Sequence, residues 1–177
     1  EIGFNSKIEE LNLNLAAVIF HSDRKDQQVL ISTQVDLNDP NTFTFLTQNA
    51  AEGTNNGIEL EMDFQLSENL DMFINFGLLK TEIKSWKSRP EIEGRAQAHA
   101  PEKSYAVGFN WYPSEQSSFS LDMVGKSSFY YSDSHDNKSK SYFLTNINYS
   151  YFHDQWTYSI WGRNIFDEYY STRGFYF

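Results

Sequence analysis

The sequence predicts an all-β chain: an antiparallel up-and-down meander of about eight long strands forming part of a transmembrane β-barrel. Three observations carry that expectation. Apolar and polar residues alternate with period two, short and long connections alternate strictly, and aromatic residues, 17% of the chain, gather near strand ends. No stretch reads as a capped helix, and no apolar run approaches the roughly 18 residues that a membrane helix needs.

The strands follow in chain order. EIGFNSKI at the start reads as a partial strand. LNLNLAAVIF sets Leu11, Leu13, Leu15, Ala17 and Ile19 on one face and Asn12 and Asn14 on the other. GIELEMDFQL is the clearest: Ile58, Leu60, Met62, Phe64 and Leu66 oppose Glu59, Glu61, Asp63 and Gln65. A helix would scatter those carboxylates among the apolar residues. DMFINFGLL, SYAVGFNWY, SFSLDMVG and YFLTNINYSYF continue the pattern. In WTYSIWGRN, Trp156, Tyr158 and Ile160 oppose Thr157 and Ser159, after which Trp161 and Arg163 break the alternation.

Short connections fall at Glu9-Glu10, Ser67 to Asn69, Pro113 to Ser117 and His153 to Gln155; long ones run from Ser32 to Asn56, Trp86 to Pro101 and Ser132 to Lys140. Tight turns at one end and elaborated loops at the other are the pattern of outer-membrane barrels. Trp111, Tyr112, Tyr151, Phe152, Trp156, Phe73 and Phe119 lie beside short turns, as an interfacial girdle would. Glu59, Glu61, Asp63, Asn75, Asn110 and Asp122 would then face a wet lumen without desolvation cost. A soluble antiparallel sheet with one solvated face shows the same period; loop asymmetry and aromatic bands favour the barrel.

Composition narrows the function. The 177 residues suit one domain, read as a single partial barrel over 1–177. A net charge of -10 argues against nucleic acid and against an anionic membrane surface as partners. The absence of cysteine excludes disulfide scaffolds, zinc-thiolate sites and cysteine nucleophiles. The opening EIGFNSKIEE has no basic segment leading into an apolar one, which implies a mature or truncated chain.

No catalytic motif appears. Glu59 and Glu61 share a face about 7 Å apart by strand rise, but a whole row of carboxylates reads as a wetted wall rather than a glycosidase pair. His21, His99, His135 and His153 lack ligand spacing, so no metal site and no cofactor is expected. DSHDNKSKS lacks the glycine and closing glutamate of a calcium loop and reads as solvated loop.

NGIELEMDFQLSENL (Asn56 to Leu70), GRAQAHAPEKSYAVGFNWYP (Gly94 to Pro113) and WTYSIWGRNIFDEYYSTRGFYF (Trp156 to Phe177) together resemble the carboxyl-terminal part of TonB-dependent outer-membrane receptors. The most specific element is an Asn-hydrophobic-Phe-Asp-x-x-Tyr signature at Asn164, Ile165, Phe166, Asp167 and Tyr170. The resemblance implies a piece of a plugged barrel of roughly 22 strands, lacking the plug and the last strand. It further implies a receptor in the bacterial outer membrane, not an enzyme. Such a receptor takes up a scarce large nutrient: an iron-siderophore chelate first, with cobalamin or a glycan as alternatives. Its implied partners are outer-membrane lipid, the chelate or glycan, and the TonB complex through the missing amino-terminal region.

If the chain is such a receptor, ligand contacts belong to the long loops. Trp86, Arg89, Arg95 and His99 in one, Tyr130, Tyr131 and His135 in another, and Tyr169, Tyr170 and Arg173 in the last offer stacking surfaces and cations. The tail is expected to rise to the outer rim with Phe177 beyond it. Three other readings stay open: a complete eight-stranded barrel with a structural or adhesive role, a soluble β-sandwich binding module, and a barrel enzyme.

Overall fold

The computed structural model describes residues 1–39, 41–87, 89–133 and 135–174, with the side chains of 29–33, 46 and 48–50 outside that description. Eight strands follow one another: β1 (Ile2–Ile8), β2 (Leu13–Gln34), β3 (Phe43–Ser67), β4 (Leu70–Trp86), β5 (Lys103–Ser114), β6 (Ser117–Lys126), β7 (Tyr142–His153) and β8 (Trp156–Gly162). They form one sheet in the order β1 to β8, every neighbour antiparallel. β1 and β8 each have one neighbour, so the sheet does not close. A closed eight-stranded barrel and a two-sheet sandwich are both ruled out by this topology.

Register fixes which residues share a face. One row reads Leu60, Phe76, Tyr105, Gly125, Phe143 across β3 to β7. The next two read Met62, Ile74, Val107, Met123, Thr145 and Phe64, Met72, Phe109, Leu121, Ile147. Between them, on the opposite face, run Glu61, Asn75, Ala106, Val124, Leu144 and Asp63, Phe73, Gly108, Asp122, Asn146. The apolar face stays open to its surroundings, with Ile19 61%, Trp111 47%, Phe143 51% and Ile160 73% exposed. No large side chain among the described residues is fully buried, which a water-soluble sheet of this size would not tolerate. From Leu70 to Leu78 the apolar run on β4 spans about 27 Å along the strand, near the height of a barrel's apolar band.

The structure departs from expectation at three places, the first two for evident physical reasons. The stretch from Ser32 to Asn56, expected as a long loop, is mostly strand: β2 and β3 continue as a ribbon to a tip at residues 35–42. Above the bilayer no face meets lipid, so the sustained alternation that marks a membrane strand is lost from the sequence. The tip is tied by its own polar groups: Gln34 Nε2 donates to the carbonyls of Asp36 and Asp39, and the Asp36 amide donates to Thr42 Oγ1. Phe73, expected in the girdle, takes the inward alternate instead. A Cβ on Gly108 would collide with the Phe73 ring; the ring covers the glycine across the strand pair. β8 ends at Gly162 rather than Asn164, and Phe177 lies outside the described residues.

The short turns match their chemistry. Asn12 and Asp154 adopt left-handed backbone at φ 46° and 51°, a conformation that Asn and Asp tolerate better than other side chains. Beside the last turn, Tyr151 and His153 stack with ring centroids 6.4 Å apart.

Two measurements test these assignments in the complete protein. Val107→Lys, on the apolar face, should destabilise the barrel in lipid by roughly 2–4 kcal/mol, while Ala106→Lys next to it costs under about 1 kcal/mol; equal costs would contradict the assignment of faces. Gly108→Val should cost roughly 1–3 kcal/mol, and pairing it with Phe73→Ala should recover part of that loss. A double-mutant cycle in urea unfolding reads the coupling.

Candidate functional site

The loop ends of β3 to β7 carry a packed, hydrogen-bonded layer. Its apolar base is Ala51, Ile83, Trp86 and Ile92, all 5% exposed or less. Burial of these side chains in water is the ordinary hydrophobic gain, roughly 1.5–3 kcal/mol for each large one. The loop after β4 opens with a single 3-10 turn, Pro90–Ile92, then doubles back along β4. Gly94 donates its amide to the Ile83 carbonyl and Ile83 donates to Arg95, each at 2.8 Å. Gly94, at φ 83°, makes that reversal.

The reversal sets Arg95 against the loop joining β6 to β7. Arg95 Nη2 donates to the Ser132 carbonyl at 2.8 Å; Nη1 donates to the His135 carbonyl at 3.0 Å and to Asp136 Oδ1 at 2.7 Å. Its guanidinium carbon stands 4.3 Å from the Tyr130 ring centroid, and the Lys138 ammonium lies 4.2 Å from the same ring. The Arg95 side chain is 10% exposed. Two further bonds fasten the loops: the Ala98 amide donates to Asp133 Oδ1, and the His99 amide donates to the Tyr130 carbonyl, both at 2.9 Å. The β6–β7 loop closes on itself through two bonds from Ser139 to Phe129 and back, and a bridge between Tyr130 and Lys138.

The tail reaches the same place. After β8, Asn164 turns the chain at φ 48°, exchanging bonds with Glu168: Nδ2 donates to its carbonyl at 3.0 Å and Oδ1 accepts its amide at 2.9 Å. The signature asparagine is thus the clamp of a turn. Beyond it Tyr170 packs against Tyr142, the rings tilted 37° with centroids 4.8 Å apart, and Gly174 lies against the Tyr131 ring.

The loop residues singled out by sequence therefore divide. Arg95, His99, Tyr130, Tyr131 and His135 converge, with His99 5.8 Å and Tyr131 5.9 Å from the Phe129 ring. Trp86 is 2% exposed and shapes the base rather than presenting a face. Arg89 pairs with Glu91; the Glu91 backbone amide and then that guanidinium hold its carboxyl below the usual range. Tyr169 stands 88% exposed, and Tyr170 and Arg173 lie on the tail. Sequence reasoning missed Phe129, Asp133 and Lys138, which build the cluster; they sit in a polar loop with no period to mark them. Among the described residues no group of three His, Asp or Glu side chains is placed to hold a metal ion.

A second polar network lines the inward face below. Gln97 receives its position from Thr81, whose Oγ1 accepts the Gln97 amide at 2.9 Å, and its side chain reaches Asn55 and Arg24. The loop is thereby tied to β2, β3 and β4 as well as to its neighbour.

Comparison with known proteins agrees with this geometry. The family model described as TonB dependent receptor-like, beta-barrel, matches residues 1–165. No curated protein sequence matched the chain. Among solved structures, the siderophore receptor PiuA from Acinetobacter baumannii is similar at 18% identity and TM-score 0.77, over 97% of this chain and 24% of its own. The ferric yersiniabactin uptake receptor FyuA from Yersinia pestis is similar at 16% identity and TM-score 0.75, over 93% of this chain and 24% of its own. The copper transporter OprC gives 14% identity and TM-score 0.73, over 96% and 25%. The chain thus spans about a quarter of the length of these proteins, and at such identity the likeness shows the fold. With the family match running through all eight strands, the chain belongs to the TonB-dependent receptor β-barrel family, whose members are outer-membrane transporters rather than enzymes.

Proposed function

We propose that the chain is one part of the barrel wall of a receptor that takes up a metal chelate, the ferric siderophore class first, with energy supplied by the TonB complex. The observation that carries this is the family match over residues 1–165 on a sheet whose two edges are unpaired. Such edges call for further strands on both sides. Coupling to TonB belongs to a region amino-terminal to this chain, and the outer-face rows contact lipid. The similar structures named above, a siderophore receptor, a ferric yersiniabactin receptor and a copper transporter, favour a metal-bearing ligand over cobalamin or a glycan.

In this reading His99, Tyr130, Tyr131 and His135 face the ligand, joined by Tyr169, Tyr170 and Arg173 of the tail. Arg95 acts on the ligand through them. It spends its donors on two carbonyls and a carboxylate of the neighbouring loop, so it fixes where Tyr130 and Tyr131 stand. Trp86 and Arg89 hold the base of the loop.

Uptake by a deletion strain under iron limitation tests the reading: transport of at least one labelled ferric chelate should be lost and should also require TonB. Unchanged uptake of every chelate tried would defeat it. Within the site, Arg95→Ala removes three charge-assisted bonds. Those to the Ser132 and His135 carbonyls are worth roughly 1.5–3 kcal/mol each, whereas Asp136, 88% exposed, adds little. The expected result is rapid proteolytic cutting within residues 127–141 and chelate affinity about tenfold weaker. Arg95→Lys, a cation without the planar fork, should fall between.

A further inference from the structure

The outward, lipid-facing side of the sheet ends differently at its two rims. At the turn end its last row is Leu70, Trp111, Phe119, Tyr149 across β4 to β7. At the loop end the row past the apolar band is His21, Asn56, Lys80 across β2 to β4. Lys103 of β5 stands level with Leu78, on the same face as Tyr105, Val107 and Phe109. Asn56, Lys80 and Lys103 lie on β3, β4 and β5, each with both neighbouring strands in place. The lipid-facing rows run directly below them, so a plug inside the barrel does not reach this rim.

Lys80 and Lys103 are diagonal neighbours on paired strands, roughly 7–8 Å apart, and both are exposed. The carboxylates of this face are engaged elsewhere: Glu82 accepts from Lys84 at 2.8 Å, and Asp23 lies 3.3 Å from the His21 ring. Glu102 is on the alternate side, its carbonyl accepting the amide of inward Leu79. Lys80 and Lys103 therefore have no ion pair among the described residues. His21 Nδ1 lies 2.6 Å from Asn56 Oδ1, which leaves the Asn56 amide nitrogen as a donor beside Lys80. Like charges side by side across a strand pair are unfavourable, the more so where hydrocarbon below weakens screening, unless an anion lies between them.

We propose that Lys80, Lys103 and the Asn56 amide form a binding site for a phosphate monoester on the headgroup of an outer-leaflet glycolipid. The two ammonium groups act on the phosphate as point charges, and the acyl chains lie along the rows of Leu78 and Phe76 beneath. That apolar continuation favours a lipid over free phosphate, which would use only the donors. The net charge of -10 argues against an anionic surface as partner for the chain as a whole, but on this rim Lys80, Lys84 and Lys103 outnumber Glu82 and Asp23. The site rests on the barrel standing in the outer membrane with its loops outward, and not on which solute the receptor takes up.

The experiment uses the complete receptor, delipidated in non-ionic detergent, its lysines carrying isotope-labelled methyl groups that keep their charge. The Lys80 and Lys103 resonances are assigned by their loss in Lys80→Arg and Lys103→Arg, and bisphosphorylated lipid A in mixed micelles is the probe. Both resonances should shift together and saturably, with a midpoint at least about tenfold below that for dephosphorylated lipid A. Lys80→Gln should weaken the Lys103 response about tenfold, whereas Lys126→Gln on the inward face leaves it unchanged and the other lysine resonances report an intact fold. No shift, or an equal shift with the dephosphorylated lipid, would overturn the proposal. Equal weakening by Lys126→Gln would overturn it as diffuse charge, and an equal response to inorganic phosphate as a free-anion site. So would failure of Lys80 and Lys103 to take up the methyl label in the lipid-free receptor, since another part of the protein would then cover them. Failure of chelate uptake with an intact lipid response would instead count against the proposed transport function alone.

Discussion

Backbone pairing without water is the constraint on which the rest of this chain depends. In hydrocarbon no N–H or carbonyl can turn to solvent, so each strand must be matched residue for residue along the band. The register shows where that requirement holds. Its shifts fall at Arg24/Gln27, Gln27/Gln28 and Glu52/Gly53 toward the loops, and at Gln65/Ser67 and Trp111/Ser114 toward the turns. Between these ends, the rows through Leu60, Met62 and Phe64 run unbroken from β3 to β7. A bulge in the band would leave a backbone group unpaired in lipid; at either end water takes up the loss.

The same constraint divides the sources of stability. Side chains of the apolar face gain nothing from mutual burial that lipid would not also offer, so the wall is held by its ladder and by close cross-strand contacts such as Phe73 over Gly108. Above the bilayer water returns, and with it the hydrophobic effect. There the chain builds its compact apolar cluster, Ala51, Ile83, Trp86 and Ile92, and there Arg95 joins two loops by bonds to backbone carbonyls. A desolvated guanidinium is costly unless its donors are matched. Arg95 matches two of its nitrogens and stacks on Tyr130, while its Nε has no partner among the described residues.

How much was legible follows from the same physics. The band was readable because lipid on one side and water on the other impose period two; GIELEMDFQL and SYAVGFNWY could be placed on their faces from residue types alone. The ribbon from Ser32 to Asn56 was not, since beyond the band no face meets lipid and no selection for strict alternation acts. Loop contacts were harder still. Arg95 bonds mainly to carbonyls of Ser132 and His135, groups that every residue carries, so no residue type in the partner loop signals the contact. The sequence could offer Arg95, Tyr130 and His135 as candidates by chemistry, yet not tell a latch from a ligand contact.

That distinction bears on how selectivity can change in such a site. A residue that touches ligand alters recognition one contact at a time, whereas a residue that fixes a loop moves every side chain the loop presents. Arg95 holds the loop through Ser132, His135 and Asp136, while Ala98 and His99 fasten it at Asp133 and Tyr130. Secured at all these points, the loop has little freedom to adjust to a new ligand by itself. In the proposed receptor, new specificity on this wall would therefore come more easily from the exposed tail side chains, Tyr169 among them at 88% exposure, than from the latched loop. Tail side chains can change without breaking the Arg95 latch, and the turn that presents them is held by the Asn164 side chain on Glu168 backbone groups rather than by the aromatic residues themselves.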